Sequence, residues 1–307
     1  MDKDFGPTAL TFRDFIDVLR PNQWVKNVVV LAGPAAGLRL FSPTYFSAVL
    51  VTFVAFCFTA SAVYVINDLV DRTADARHPT KRNRPIAAGR IVPGVAAVIA
   101  AVLLIASFGL ILAASLWDVA LVVAVYFLLM VCYSLALKRL ILLDVIVIAI
   151  GFVLRAWAGA LAVDVTTSSW LVACMFTLCL FLGFGKRRCE LAMINNADDA
   201  GRHRRTLLHY TPDLLNHLLT ISAGIAAMTF LLYTMETTSR PPFPKEQLFY
   251  TFPIVIYGIF RFALVSELGL YSGPTEIVLK DRPLLVAILF WAAFALAIAY
   301  QVGPLAR

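Results

Sequence analysis

The run Asn67-Asp68-Leu69-Val70-Asp71-Arg72-Thr73-Ala74-Asp75 sets three carboxylates at the end of a long apolar segment, and Lys81, Arg82 and Arg84 follow directly. At about 100° per helical residue, Asp71 to Asp75 is a step of roughly 40° and Asp68 to Asp75 returns to within roughly 20°, so one helix would carry all three on one face. Like charges that close repel unless a cation sits among them. A hard divalent ion such as magnesium, which keeps some waters and bridges one or two carboxylates to substrate phosphates, suits the arrangement. On an ordinary soluble surface these residues would read as a solvated acidic helix end. Here the apolar run from Phe46 to Ile66 leads straight into them, and ionisable groups at membrane depth or at its mouth are expensive enough to be functional by default.

The elements that must hold this cluster are membrane helices. In 307 residues, 61% are hydrophobic and 15% charged, with a mean hydropathy of +0.83, which no soluble domain of that size can expose to water. The expected architecture is an all-α, polytopic bundle of nine spans, near 24–41, 46–66, 91–116, 119–137, 140–163, 169–185, 214–235, 247–266 and 283–303. Lys26, Asn27 and Pro34 interrupt the first. The chain reads as a single domain over 1–307, with residues 1–22 an amphipathic segment and no cleavable signal pattern. Of the 26 basic residues, 20 fall in loops on one side of such a bundle and four on the other, Arg155 and Arg261 lying inside spans. The positive-inside rule then places the N-terminus and the loops 67–90 and 186–213 in the cytoplasm, in a multi-pass protein of the plasma membrane. The net charge of +7 is thus a topology signal that also attracts phosphorylated substrates, and nucleic acid is not implied.

Ahead of the first span, Phe12, Phe15, Ile16 and Leu19 follow the i, i+3, i+4, i+7 rhythm with charged residues between them, the pattern of a short interfacial helix. It ends at Arg20-Pro21 and passes into Gln23-Trp24-Val25-Lys26-Asn27, where Lys26 either snorkels or meets a substrate. The five cysteines show no paired spacing and read as small core residues. Four scattered histidines, and the lack of any GxSxG, Walker or HExxH pattern, count against acyl transfer, ATP hydrolysis and zinc chemistry.

The NDxxDxxxD pattern of Asn67 to Asp75, the downstream Arg84-Pro85-Ile86-Ala87-Ala88-Gly89-Arg90 and the nine-span count resemble the UbiA superfamily of intramembrane prenyltransferases over nearly the whole chain. Within it, Arg20-Pro21-Asn22-Gln23-Trp24-Val25-Lys26-Asn27, His78-Pro79-Thr80-Lys81-Arg82, Gly185-Lys186-Arg187-Arg188-Cys189-Glu190-Leu191 and Asp281-Arg282 are most similar to a phosphoribosyltransferase branch. That branch implies transfer of 5-phosphoribose from phosphoribosyl pyrophosphate to a polyprenyl (decaprenyl) phosphate, in lipid-linked arabinose precursor synthesis for the cell wall. On this reading Asp68, Asp71 and Asp75 hold Mg2+ and are catalytic. The expected substrate-binding set is Lys26, Asn27, Tyr64, Asn67, Lys81, Arg82, Arg84, Lys138, Lys186, Arg187 and Glu190. A homo-oligomer is left open.

The chain departs from the aromatic prenyltransferases where they carry a second aspartate-rich motif: it reads Gly185-Lys186-Arg187-Arg188-Cys189-Glu190, with Asp198 and Asp199 well downstream. Lys186 and Arg187 suit a phosphate that magnesium does not carry, while Arg188 is a ligand or a positive-inside anchor. Lys138 meets a phosphate or snorkels, Tyr64 lines the site or packs, and Asp144 and Arg155 are expected to pair with other helices inside the bundle. An aromatic prenyltransferase using prenyl diphosphate is the runner-up. A CDP-alcohol phosphotransferase would want a glycine between Asp68 and Asp75, where there is none. A transporter would place its polar groups near mid-membrane rather than at span ends.

Overall fold

With no water in a bilayer core, apolar segments must satisfy their backbone groups internally and so form helices. The computed structural model describes residues 11–78, 81–193, 205–236 and 245–301, and these contain helices and no strand. Seven helices are long and apolar enough to cross a membrane: Pro43–Val70, Pro93–Ala113, Trp117–Leu135, Leu143–Leu161, Ser169–Ala192, Pro212–Met235 and Glu246–Leu268. Pro274–Lys280 and the helix that follows it meet at 84° and would make an eighth span if counted together.

In chain order the α-helices are α1 (Phe12–Leu19), α2 (Ala32–Ala36), α3 (Pro43–Val70), α4 (Arg72–Ala76), α5 (Pro93–Ala113), α6 (Trp117–Leu135), α7 (Leu143–Leu161), α8 (Ser169–Ala192), α9 (Pro212–Met235), α10 (Phe252–Leu268), α11 (Pro274–Lys280) and α12 (Arg282–Gln301). Proline stands in the first turn of α3, α5, α9, α10 and α11, where its missing N–H costs nothing.

The expected first span, 24–41, is not one α-helix. It is a 3-10 helix over Pro21–Leu31 that runs into α2. At about 2 Å per residue such a segment is roughly 22 Å long. Its thinness has a packing reason: a Cβ on Gly33 would lie 2.6 Å from the backbone of Ala160, and one on Gly159 would lie 1.8 Å from the Val30 carbonyl oxygen. Backbone meets backbone there, so glycine is the side chain that fits.

The chain forms two compact units. The first comprises residues up to Ala35, Arg39–Lys138 and Leu154–Val165; the second comprises Ala36–Leu38, Arg139–Val153 and the chain from Thr166 on. In the first, α3 packs along α5 and α6. Val18 of α1 joins Ala62, Val65, Ile86, Ile91, Ala96 and Ala100 in a buried cluster under the loop that follows α4. In the second, α8 packs along α9 and α10, with Phe181, Phe184, Phe262 and Leu215 at its centre. Cys57 and Cys189 are buried, whereas Cys132 is exposed.

Candidate active site

The carboxylates belong to the first unit, and a break in the helix arranges them. Asp71 is the residue after α3, with φ −90° and ψ 3°, and its N–H still bonds the Asn67 carbonyl at 2.9 Å. The chain restarts at once as α4, where the Asp75 N–H bonds the Asp71 carbonyl at 2.8 Å. Phase arithmetic for one continuous helix therefore does not hold across Asp71. The three acids divide into a pair and a single group.

Asp68 and Asp75 are the pair, each 4% exposed. One nitrogen of Arg84, Nη1, donates to both, at 3.0 Å to Asp68 and 2.6 Å to Asp75. Arg20 holds Asp68 through Nη2, 2.6 Å from each carboxylate oxygen, and its guanidinium lies 5.0 Å from the centre of the Tyr64 ring. Lys81 reaches Asp75 at 4.0 Å. Asp71 is the single group: Lys138 Nζ contacts both its oxygens at 2.6 Å and donates to Asn67 Oδ1 at 3.1 Å. Arg82 is exposed and joins none of these pairs.

Local sequence explains how the cations are presented. Ile86 and Ile91 are fully buried and pin the loop that carries Arg84. That loop turns at Gly89, whose φ of 76° favours glycine. Arg20 caps α1 in the left-handed region, its N–H bonded to the Ile16 carbonyl at 3.1 Å. The helix itself is tied down by Asp14, which accepts from Arg90 Nε at 2.7 Å and closes a capping box with Thr11. The Thr11 hydroxyl, then Arg90, hold the Asp14 carboxyl down to a pKa of about 2. Phe12, Phe15 and Ile16 of this helix are exposed.

Four cations, Arg20, Lys81, Arg84 and Lys138, thus face three carboxylates within 4.0 Å. Hard oxygen donors of this kind fit a Mg2+ ion held by one or two carboxylates and completed by phosphate. A cage of three or more protein ligands is not present among the described residues. The surplus of positive charge fits a polyanionic partner.

Deeper in the same unit, Arg155 donates to Asn27 Oδ1 at 2.8 Å and to the Tyr126 hydroxyl at 2.6 Å, and its guanidinium lies 4.5 Å from the Tyr126 ring centre. Asn27 in turn donates to Cys57 Sγ at 3.3 Å. Lys26, next to Asn27, is half-buried near Arg155 and Arg20 and has no carboxylate within ion-pair distance among the described residues. Arg20 was not foreseen as a site residue, because nothing local in Leu19-Arg20-Pro21 signals a contact 48 residues away.

Lys186, Arg187 and Glu190 belong to the second unit. Arg187 is 2% exposed, bound to Glu190 at 2.6 Å, and has Asp144 at 4.0 Å. The Tyr210 hydroxyl donates to Asp144 Oδ1 at 2.8 Å and accepts the Leu142 N–H at 2.9 Å; burial raises its phenol pKa, so it stays a donor. Arg187 is therefore a core cation. Lys186 is the open one, its side chain 47% exposed and its stem lying 3.4–3.9 Å from where a Cβ on Gly273 would be. Arg188 bonds Asn216 at 3.2 Å. Asp281, 5% exposed, accepts from two Arg261 nitrogens at 3.0 and 2.8 Å and caps α12 through the Leu284 N–H. Asp198 and Asp199 lie outside the described residues.

Known proteins resemble this chain over most of its length. The model of the UbiA prenyltransferase family matches residues 28–261. A decaprenyl-phosphate phosphoribosyltransferase of Corynebacterium glutamicum is 36% identical over 94% of this chain and 87% of its own length. The protein of the same name from Mycolicibacterium smegmatis is 34% identical over 93% of this chain and 92% of its own length. Among solved structures, a UbiA homolog from Archaeoglobus fulgidus bound to GPP and Mg2+ superposes with a TM-score of 0.68 at 17% identity, covering 93% of this chain and 99% of that one. At that identity the likeness speaks for the fold.

Proposed function

The chain belongs to the UbiA prenyltransferase family, and from that premise we propose that it transfers 5-phosphoribose from phosphoribosyl pyrophosphate to a polyprenyl phosphate and releases pyrophosphate. The observation that carries the reading is similarity over more than nine-tenths of the chain to relatives named for that reaction. The site is consistent with it, since its four cations exceed its three carboxylates by one positive charge and so suit a phosphorylated partner. We read residues 1–307 as one functional domain, a multi-pass protein of the plasma membrane with its N-terminus and the loops 67–90 and 186–213 in the cytoplasm.

Asp68, Asp71 and Asp75 would hold Mg2+, which when bound neutralises charge on the diphosphate leaving group. Arg84, Lys81 and Arg82 would take oxygens of the donor's phosphates, and Lys138 would orient Asp71. Tyr64 would line the site through its contact with Arg20. Lys26, steered by Asn27, is a further anion ligand. Lys186 would hold a phosphate of the lipid or the sugar, with Arg187 and Glu190 fixing the helix that presents it. The lipid phosphate is already ionised at neutral pH and needs positioning more than a base. Its oxygen attacks the anomeric carbon as the bond from that carbon to the diphosphate oxygen breaks, the electron pair leaving with pyrophosphate. Attack from the opposite face inverts the centre, from the α donor to a β-linked product.

The test is ligand protection. Phosphoribosyl pyrophosphate with Mg2+ should raise the unfolding temperature of the purified protein and geranyl diphosphate should not. Protection by the prenyl diphosphate alone would move the assignment to aromatic prenylation.

A further inference from the structure

Arg84 occupies an unusual position. Its single nitrogen Nη1 bridges the oxygens of Asp68 and Asp75, the very groups that a divalent ion would need. Its side chain is 28% exposed, against 5% for each carboxylate side chain, so the guanidinium lies over the acids on their solvent side. The backbone beneath it is fixed: the Arg84 N–H bonds the Lys81 carbonyl at 3.0 Å, the Ala88 N–H bonds the Arg84 carbonyl at 2.8 Å, and Ile86 is fully buried. Movement of Arg84 is therefore a matter of side-chain rotation. Asp68 would not be left bare, because Arg20 holds it from another element at 2.6 Å.

We propose that Arg84 is an exchangeable counter-ion, which releases Asp68 and Asp75 to a divalent cation only as it takes up the oxygens of a diphosphate. A guanidinium and a divalent cation on the same oxygens repel each other, so either excludes the other while no further anion is present. A diphosphate removes the conflict, since arginine binds phosphate through paired hydrogen bonds at least as well as carboxylate. Metal and diphosphate then bind with positive coupling, and by linkage each raises the affinity of the other by the same factor. The charged site is kept neutralised in a low-dielectric setting until its substrate arrives. This rests on the proposed function, in that a diphosphate donor and a divalent ion use these carboxylates.

Coupling by itself would also follow from direct contact between metal and phosphate, so the decisive quantity is the affinity for metal alone. Mn2+ binding to the full chain in detergent is measured by electron paramagnetic resonance, at fixed free metal, with and without pyrophosphate. Arg84→Gln should bind Mn2+ alone about tenfold tighter than the wild type, the worth of one charge-assisted contact, and should gain correspondingly less from pyrophosphate. Arg77→Gln removes the same charge from an exposed arginine two residues past Asp75 that makes no ion pair among the described residues, and should stay near the wild type. Unchanged or weaker Mn2+ binding by Arg84→Gln, or an equal rise in both variants, overturns the proposal and leaves the proposed function standing. Binding of neither Mn2+ nor pyrophosphate by the wild type overturns both. A second measurement needs no variant. Modification of Arg84 by phenylglyoxal, followed by mass spectrometry, should keep its ligand-free rate with Mn2+ alone at that free metal concentration and fall below it once pyrophosphate is added; a rate that Mn2+ alone quickens, or that pyrophosphate leaves unchanged, contradicts the exchange.

Discussion

At the scale of single residues, the three aspartates separate by what each substitution leaves behind. Asp71 is half-buried and, among the described residues, held by the single cation Lys138, so Asp71→Asn should abolish turnover while thermal unfolding stays within about 1 kcal/mol of the wild type. Asp68 is buried between Arg20 and Arg84. Asp68→Asn should lose turnover and also about 2–3 kcal/mol, because two guanidinium groups are left facing a neutral amide. The same reasoning divides Lys186 from Arg187. Lys186→Ala should cost roughly tenfold in kcat/KM with little change in stability, whereas Arg187→Ala should destabilise by about 3–5 kcal/mol, since it takes the guanidinium from beside Asp144 and Glu190 and empties a core position. Circular-dichroism melts of the four variants beside their activities make the comparison. The residue types of the site were legible in the sequence, because carboxylates and clustered cations at an apolar boundary have few structural uses. Burial was not: Lys186 and Arg187 are neighbours in the chain, and one turns outward while the other enters the core of its unit.

At the scale of elements, the long apolar helices were readable from hydropathy, and the outward face of α1 from the rhythm of Phe12, Phe15 and Ile16. Two features were hidden. The helix break at Asp71 carries no proline or glycine to announce it, and it is what separates Asp71 from the Asp68 and Asp75 pair. The 3-10 form of Pro21–Leu31 depends on Gly33 and Gly159, which meet partners more than a hundred residues distant in sequence. Gly159→Ala should therefore push the segment off α7 and destabilise by about 1–3 kcal/mol, measured by thermal unfolding; an unchanged melt would refute that backbone contact. The tie of α1 has a pH signature. The folded pKa of Asp14, about 2, lies below its ordinary value of about 3.9, so the stabilisation is complete above pH 4 to 5 and is lost as pH falls through 2. Fluorescence of Trp24, whose indole donates to Ser61 at 3.0 Å, should be flat from pH 8 to 5 in the wild type. A transition inside that window would contradict the tie.

At the scale of the whole molecule, membrane class and family were legible because they rest on averages over the entire chain, where one misplaced boundary changes little. The count of spans was less so, since 24–41 divides between a 3-10 helix and α2, and the helix at 283–303 meets α11 at 84°, the two making an eighth span only if counted together. Orientation is a prediction at this scale: thiol labels placed in the loops 67–90 and 186–213 of a cysteine-free variant should react from the cytoplasmic side, and external labelling of either would remove the proposed site from its phosphorylated donor. The most direct measurement of the central claim is transfer itself. Phosphoribosyl pyrophosphate labelled in the ribose is incubated with polyprenyl phosphate, Mg2+ and the purified protein, and the organic phase is counted. Label should enter the lipid phase with the wild type and not with Asp71→Asn. No lipid-linked label from the wild type, together with turnover of a prenyl diphosphate onto an aromatic acid, would contradict the account.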